Sequence, residues 1–135
     1  MTASAYQPTP LAEAWARVVD GSSTPKVALG DFLDDWRRFP DVPLRAALIR
    51  EPIPRAPDHD RHRWDGFVAA AVEYLTVRDG VATPPWVFWD GWTLEQPWFL
   101  FSTWKLRAWQ LAVTPPPWKR RRVFGGDETA LIGRV

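Results

Sequence analysis

The chain of 135 residues contains no cysteine, which excludes disulfides and cysteine-based zinc sites. Histidine is nearly as scarce. His59 and His62 stand three apart in PDHDRH with Asp58 and Asp60, but no third histidine or carboxylate motif completes a metal set. That segment reads as a polar helix start with acidic residues at its N-terminal end. Neither a metal nor a cofactor is expected. Long apolar runs are also missing: FVAAAV, residues 67–72, falls far short of a membrane span. The opening MTASAYQPTP has neither the basic start nor the apolar stretch of a secretory leader. A soluble, cytoplasmic protein without a membrane partner is the expectation.

Catalytic signatures are lacking as well. The serines stand only at 4, 22, 23 and 102, none in a GxSxG-type setting, and no phosphate loop or dinucleotide fingerprint occurs. Asp31, Asp34 and Asp35 have the spacing of any solvated helix face. No enzymatic activity is expected.

Proline and tryptophan, by contrast, are abundant, with 14 and 10 copies. Several prolines stand where helices begin, a position at which the missing N–H would be unpaired anyway. In TPLAEAWARVVDG, Thr9 is the expected cap, Pro10 the first helical residue and Gly21 the terminator. Leu11, Ala14, Trp15, Val18 and Val19 share one face. STPKVALGDFLDDWRRFP repeats the opening with Ser23 or Thr24 before Pro25, and DVPLRAALIREP reads as a short third helix. The fourth, roughly 60–79, carries a stripe of Trp64, Phe67, Val68, Ala71, Val72 and Leu75 before Gly80.

Residues 81–101 lose this periodicity. Seven aromatics and three prolines fall within them, predicting an aromatic loop with one short helical turn, and VFWDGW is the only hairpin candidate. A fifth helix is expected over about 103–113, a sixth from PPPWKRRR, and a last turn in DETALIGRV capped by Asp127. The fold class is therefore all-α: a single compact bundle of five to six short helices with a Pro/Trp-rich loop. A flexible arm over 1–8 precedes the helical domain 9–135. Trp15, Phe32, Trp36, Phe67 and Leu75 are its expected core.

Charge is unevenly placed. Residues 1–102 hold 10 Lys+Arg against 14 Asp+Glu, whereas residues 103–135 hold 7 against 2. A basic end on an acidic body points to a partner. Its densest part is WKRRRVF, where Lys119 to Arg122 span a helical turn and so cannot share one face. Arginine is suited to bidentate recognition of carboxylate or phosphate, so a protein partner, a nucleic-acid partner and a plain solvated or C-terminal-capping role all stay open here.

Several short motifs recur in order along the chain: ALGDFLDDW (28–36), REPIP (50–54), PPW (84–86), PWF (97–99) and LRAWQLAVTPPPWKRRRVF (106–124). In this succession the sequence resembles a family of small bacterial proteins, some of which carry an added helix-turn-helix domain. Trp118 and Lys119 stand where that family usually has Phe and a first Arg. Members are often encoded beside nucleotidyltransferase-like toxins. The resemblance therefore implies an antitoxin or toxin-associated regulator, with the cognate toxin as protein partner. A nucleic-acid-binding regulator using the same arginines is the alternative. The expected partner-binding residues are Arg107, Lys119, Arg120, Arg121 and Arg122, with Trp98 and Phe99 of the PWF motif and Trp118. Trp118 and Phe124 are expected to anchor the segment. The arginines are expected to stay exposed and to contribute little to stability.

Overall fold

Helix starts are set by side-chain caps at three of the places where the sequence puts them. In the computed structural model, which describes residues 6–101 and 103–125, Thr24 Oγ1 accepts from Val27 N at 3.3 Å. Asp41 Oδ2 accepts from Leu44 N at 3.0 Å, and Asp58 Oδ1 accepts from Arg61 N at 2.9 Å. Each bond satisfies an amide that the helix itself leaves unpaired. These caps open α2 (Pro25–Arg38), α3 (Val42–Leu48) and α4 (His59–Asp79). The first helix, α1 (Leu11–Val19), starts one residue later than expected, with Pro10 at the cap position and no side-chain cap bond. Gly80 closes α4 with φ 70°, in the left-handed region that glycine enters freely. Two further helices, α5 (Arg107–Val113) and α6 (Pro116–Arg120), complete a mostly helical fold. The expected turn at Asp127 and residues 1–5 of the expected arm lie outside the described residues. Tyr6 of that arm is tied to the body: its hydroxyl donates to Asp35 Oδ1 at 2.7 Å.

The middle of α4 is enclosed on every side. From Asp65 to Thr76 only Tyr74 escapes full burial, so the helix has no solvent face over three turns. The expected core residues Trp15, Phe32, Trp36, Phe67 and Leu75 all lie in the cluster that surrounds it. Burial on all sides requires close approaches. A Cβ at Gly66 would stand 2.7 Å from the carbonyl oxygen of Trp92, so glycine there lets the aromatic loop lie against the helix.

Buried indoles bring N–H groups that need acceptors. Trp15 Nε1 donates to Asp65 Oδ1 at 2.6 Å, and the other oxygen of the same buried carboxylate accepts from Ala56 N at 2.8 Å. Trp36 Nε1 donates to Asp79 Oδ2 at 2.6 Å. The hydrogen bond from Arg78, reinforced by that from Trp36, holds the Asp79 carboxyl below the usual range. Trp86 donates to Ile49 O at 2.9 Å, and Trp92 donates to Trp86 O at 2.6 Å. In this way α1, α2 and the aromatic loop are each fixed to their neighbours by a directional bond.

The VFWDGW segment departs from the hairpin reading. It forms two 3₁₀ turns, Pro85–Phe88 and Asp90–Trp92. Extended pairing occurs elsewhere: β1 (Trp98–Phe99) runs parallel to β2 (Val123–Phe124), in register Trp98↔Val123 and Phe99↔Phe124. No alternating pattern can appear in two residues, and a parallel pair forms only after the intervening chain has folded back.

Phe67→Ala is expected to lose about 3–5 kcal/mol in denaturant unfolding, because it opens a cavity beside α4. Val77→Ala, on the exposed end of the same helix, should stay within about 0.5 kcal/mol of wild type. Equal losses would place Phe67 outside the core.

Candidate functional site: the C-terminal cations and the exposed face of α5

The basic run is divided among several tasks by its backbone. Helix α6 ends at Arg120, Arg121 caps it, and Arg122 takes φ 63°, a left-handed conformation unusual for a residue with a side chain. That reversal sends the chain into β2. The side chains consequently point in different directions.

Arg121 turns inward, which corrects the expectation of an exposed arginine. It is only 5% exposed. Its Nη1 donates to Glu73 Oε1 and to Pro117 O, both at 2.7 Å, and its Nη2 donates to Val87 O at 2.7 Å. Burial lowers its pKa from the ordinary arginine value, with the hydrogen bond to Glu73 opposing the shift. Arg120 meets the same carboxylate through both terminal nitrogens, with Nη1 at 3.2 Å from Oε1 and Nη2 on Oε2. Its side chain remains 55% exposed. Arg122 Nη1 donates to Glu95 O at 2.9 Å, stitching the turn to the loop before β1. Lys119 is exposed.

The aromatic anchors behave as expected. Trp118 is fully buried, its ring edge-on to Phe67 at 5.7 Å and tilted against Tyr74 at 5.3 Å. Its Nε1 has no hydrogen-bond partner among the described residues. Phe124 stacks on Phe99 at 5.0 Å, and the Arg107 guanidinium lies 5.3 Å from the Phe99 ring centre. Trp98, the next residue in the strand, packs instead against Trp64 at 5.0 Å, with Arg63 over its ring. Adjacent strand residues face opposite ways, so the PWF aromatics serve two separate contacts. The structure therefore joins Arg107 with Phe99, and Arg120 with Arg121, through different partners.

Glu73 was missed in the sequence. Its signal is a single carboxylate inside the apolar stretch FVAAAVEYL, on a helix buried all round. A second feature was missed as well. Around α5 the usual distribution is inverted: Phe101, Trp104, Leu106, Trp109, Leu111 and Val113 are exposed, Trp104 by 72%. The residue taken inside is Gln110, at 0%. Its Nε2 donates to Phe101 O at 2.9 Å, and its Oε1 accepts from Phe101 N at 3.1 Å. Thr114 adds a second tether, its Oγ1 accepting from Gly125 N at 2.7 Å. Polar bonds thus hold α5 in place while its apolar side chains face outward. Phe101, Leu106 and Trp109 line an open hollow of about 340 Å³ with no polar lining.

The two histidines have separate partners. His62 Nδ1 lies 2.9 Å from Asp65 Oδ2, and His59 Nε2 accepts from Arg63 Nε at 3.4 Å. Among the described residues no three side chains of metal-ligand type come together, and no helix is long and apolar enough to cross a membrane.

Arg121→Ala is expected to lower unfolding free energy by about 3 kcal/mol, because it strips a buried carboxylate of one cation. Lys119→Ala should change it by less than about 0.5 kcal/mol. Denaturant midpoints of the two variants check this; indistinguishable midpoints would mean that the inward pairing contributes nothing.

Comparison with known proteins gives no relative: no family model, no curated protein and no solved structure matches the chain.

Proposed function

We propose that this chain is a non-enzymatic partner-binding protein, and that its docking surface is the exposed apolar face of α5 and the turn before it. The observation that carries this reading is the inversion at α5. Phe101, Leu106 and Trp109 share one open hollow, with Trp104, Leu111 and Val113 exposed on the same segment, and such a grouping of exposed large apolar residues is characteristic of a surface covered by a partner.

Charge specifies the partner further. Residues 103–125 carry six Lys+Arg and no Asp or Glu. With Arg121 committed to Glu73, the cations left at the surface include Lys105, Arg107 and Lys119. The complementary surface is an apolar ridge bordered by carboxylates. The ordered motifs add the finer reading, in which the partner is a nucleotidyltransferase-like toxin and this chain its antitoxin. Such enzymes hold metal and nucleotide with clustered carboxylates, the groups these cations would neutralise.

A nucleic-acid regulator is the second reading, with Trp104 and Trp109 as stacking platforms for bases. The aliphatic part of the surface favours protein. Leu106, Leu111 and Val113 are exposed beside the tryptophans, and they offer nothing to a phosphate backbone.

The test is co-expression with the product of the adjacent gene, expected on this reading to be nucleotidyltransferase-like, followed by light scattering after size exclusion. A stoichiometric complex is expected. Trp104→Glu and Trp109→Glu should weaken it by more than about thirtyfold, as loss of an aromatic anchor does, without changing the melting temperature of the free chain. An unchanged complex in both variants would overturn the α5 surface. Nucleic acid eluting with the chain in place of protein would overturn the partner class.

A further inference from the structure

A second site lies apart from the α5 face, where the aromatic loop meets the arginine turn. Val87, Phe88, Trp89, Thr93, Arg120 and Arg121 line an open pocket of about 210 Å³. Phe88 and Trp89 are each 53% exposed there, despite following the buried Trp86 and Val87. Trp89 is held flat from behind: its indole stacks on buried Trp92 at 6.2 Å with an interplanar angle of 11°. One indole face is therefore backed by protein, and the ring keeps substantial solvent exposure.

The cationic side of the pocket is not neutralised. Among the described residues Glu73 is the only carboxylate that Arg120 and Arg121 contact, so these three side chains together keep one net positive charge. Their hydrogen bonds to Glu73, Pro117 and Val87 use roughly half of the N–H donors that two guanidiniums carry. The arginines are also fixed before any ligand arrives, Arg121 by burial and Arg120 by its two-point contact with Glu73. A preorganised cation loses little freedom on binding. Thr93 adds a hydroxyl at the rim.

We propose that this pocket binds a nucleoside monophosphate, with the base against Trp89 and Phe88 and the phosphate on Arg120, the buried Arg121 adding its charge from behind. A flat ring suits the indole wall, and a phosphate is the anion that arginine meets with paired donors. An inorganic anion alone would use the cations and leave the aromatic wall uncovered. A neutral aromatic would leave the charge unpaired. The two halves of the pocket call for one ligand that joins both groups. This site is independent of the α5 surface and uses none of its residues.

The experiment is calorimetric titration of the full chain with adenosine 5′-monophosphate, adenosine, inorganic phosphate and a short oligothymidylate. The monophosphate is expected to bind with a Kd below about 1 mM, at least about tenfold tighter than adenosine or phosphate. Trp89→Ala and Arg120→Gln should each weaken it by about tenfold or more. Both positions are largely exposed, and Phe88→Ala provides a second aromatic probe should Trp89→Ala unfold. Melting curves of the variants establish that they are folded. The proposal is overturned if the monophosphate binds no better than phosphate, or if the folded variants bind it like wild type. Tighter binding of the oligothymidylate than of the monophosphate would also overturn it, assigning the pocket to a nucleic-acid strand.

Discussion

A single buried carboxylate governs how the C-terminal part of this protein is placed. Glu73 sits in the stretch of α4 that has no solvent face, where an unpaired charge is severely unfavourable. Two consecutive arginines from 47 and 48 residues further on meet it. An ion pair of this kind adds little net stability over apolar packing, because desolvation offsets much of the attraction. What it supplies is position. Once Arg120 and Arg121 are on Glu73, α6 lies along α4 and Trp118 enters the space beside Phe67.

The remaining contacts follow from that placement. Leu94 N donates to Arg121 O at 3.1 Å and Trp98 N donates to Arg122 O at 2.9 Å, so the aromatic loop is pinned by the backbone of the same residues. Leu100 N then reaches Phe124 O at 3.0 Å. The left-handed Arg122 is part of this geometry, and its cost of about 1–2 kcal/mol is offset by the strand pair it permits and by its bond to Glu95 O. With both ends of residues 100–124 fixed, α5 has to span the gap. Gln110 and Thr114 then suffice to hold it, and its apolar side chains are left outward.

Legibility in the sequence divides along the same line. Helices α2, α3 and α4 were readable because their signals are local: a capping side chain, a proline near the start and, in α4, a terminal glycine. The core was readable for the same reason, since Trp15, Phe67 and Leu75 stand on periodic faces. The strand pair was not, because two residues carry no pattern and their partners are 25 positions away. The basic run was half readable. Its aromatics were assigned correctly as anchors, but the inward turn of Arg121 depends on Glu73, which no local pattern connects to it. For α5 the sequence marked a helix over about 103–113 but not which of its sides is buried. Only the three-dimensional placement of Gln110 shows which side is buried.

Four cations in a row thus do not make a patch. Their roles are set by the point at which the helix ends. Lys119 and Arg120 still have helical geometry and keep exposure, Arg121 lies at the cap and points into the body, and Arg122 follows the reversed backbone back to the loop. A slip of one residue in the register of α6 against α4 would rotate its side chains by about 100° and separate Arg121 from Glu73. The proline run before Trp118 works against that slip. Pro116 and Pro117 start α6 where missing amide hydrogens leave no helical bond unmade, and so fix its first turn. The arrangement also separates stability from recognition. Glu73, Arg121 and Trp118 hold the body together from within, while the α5 face and the exposed side of Arg120 are left for contact with other molecules.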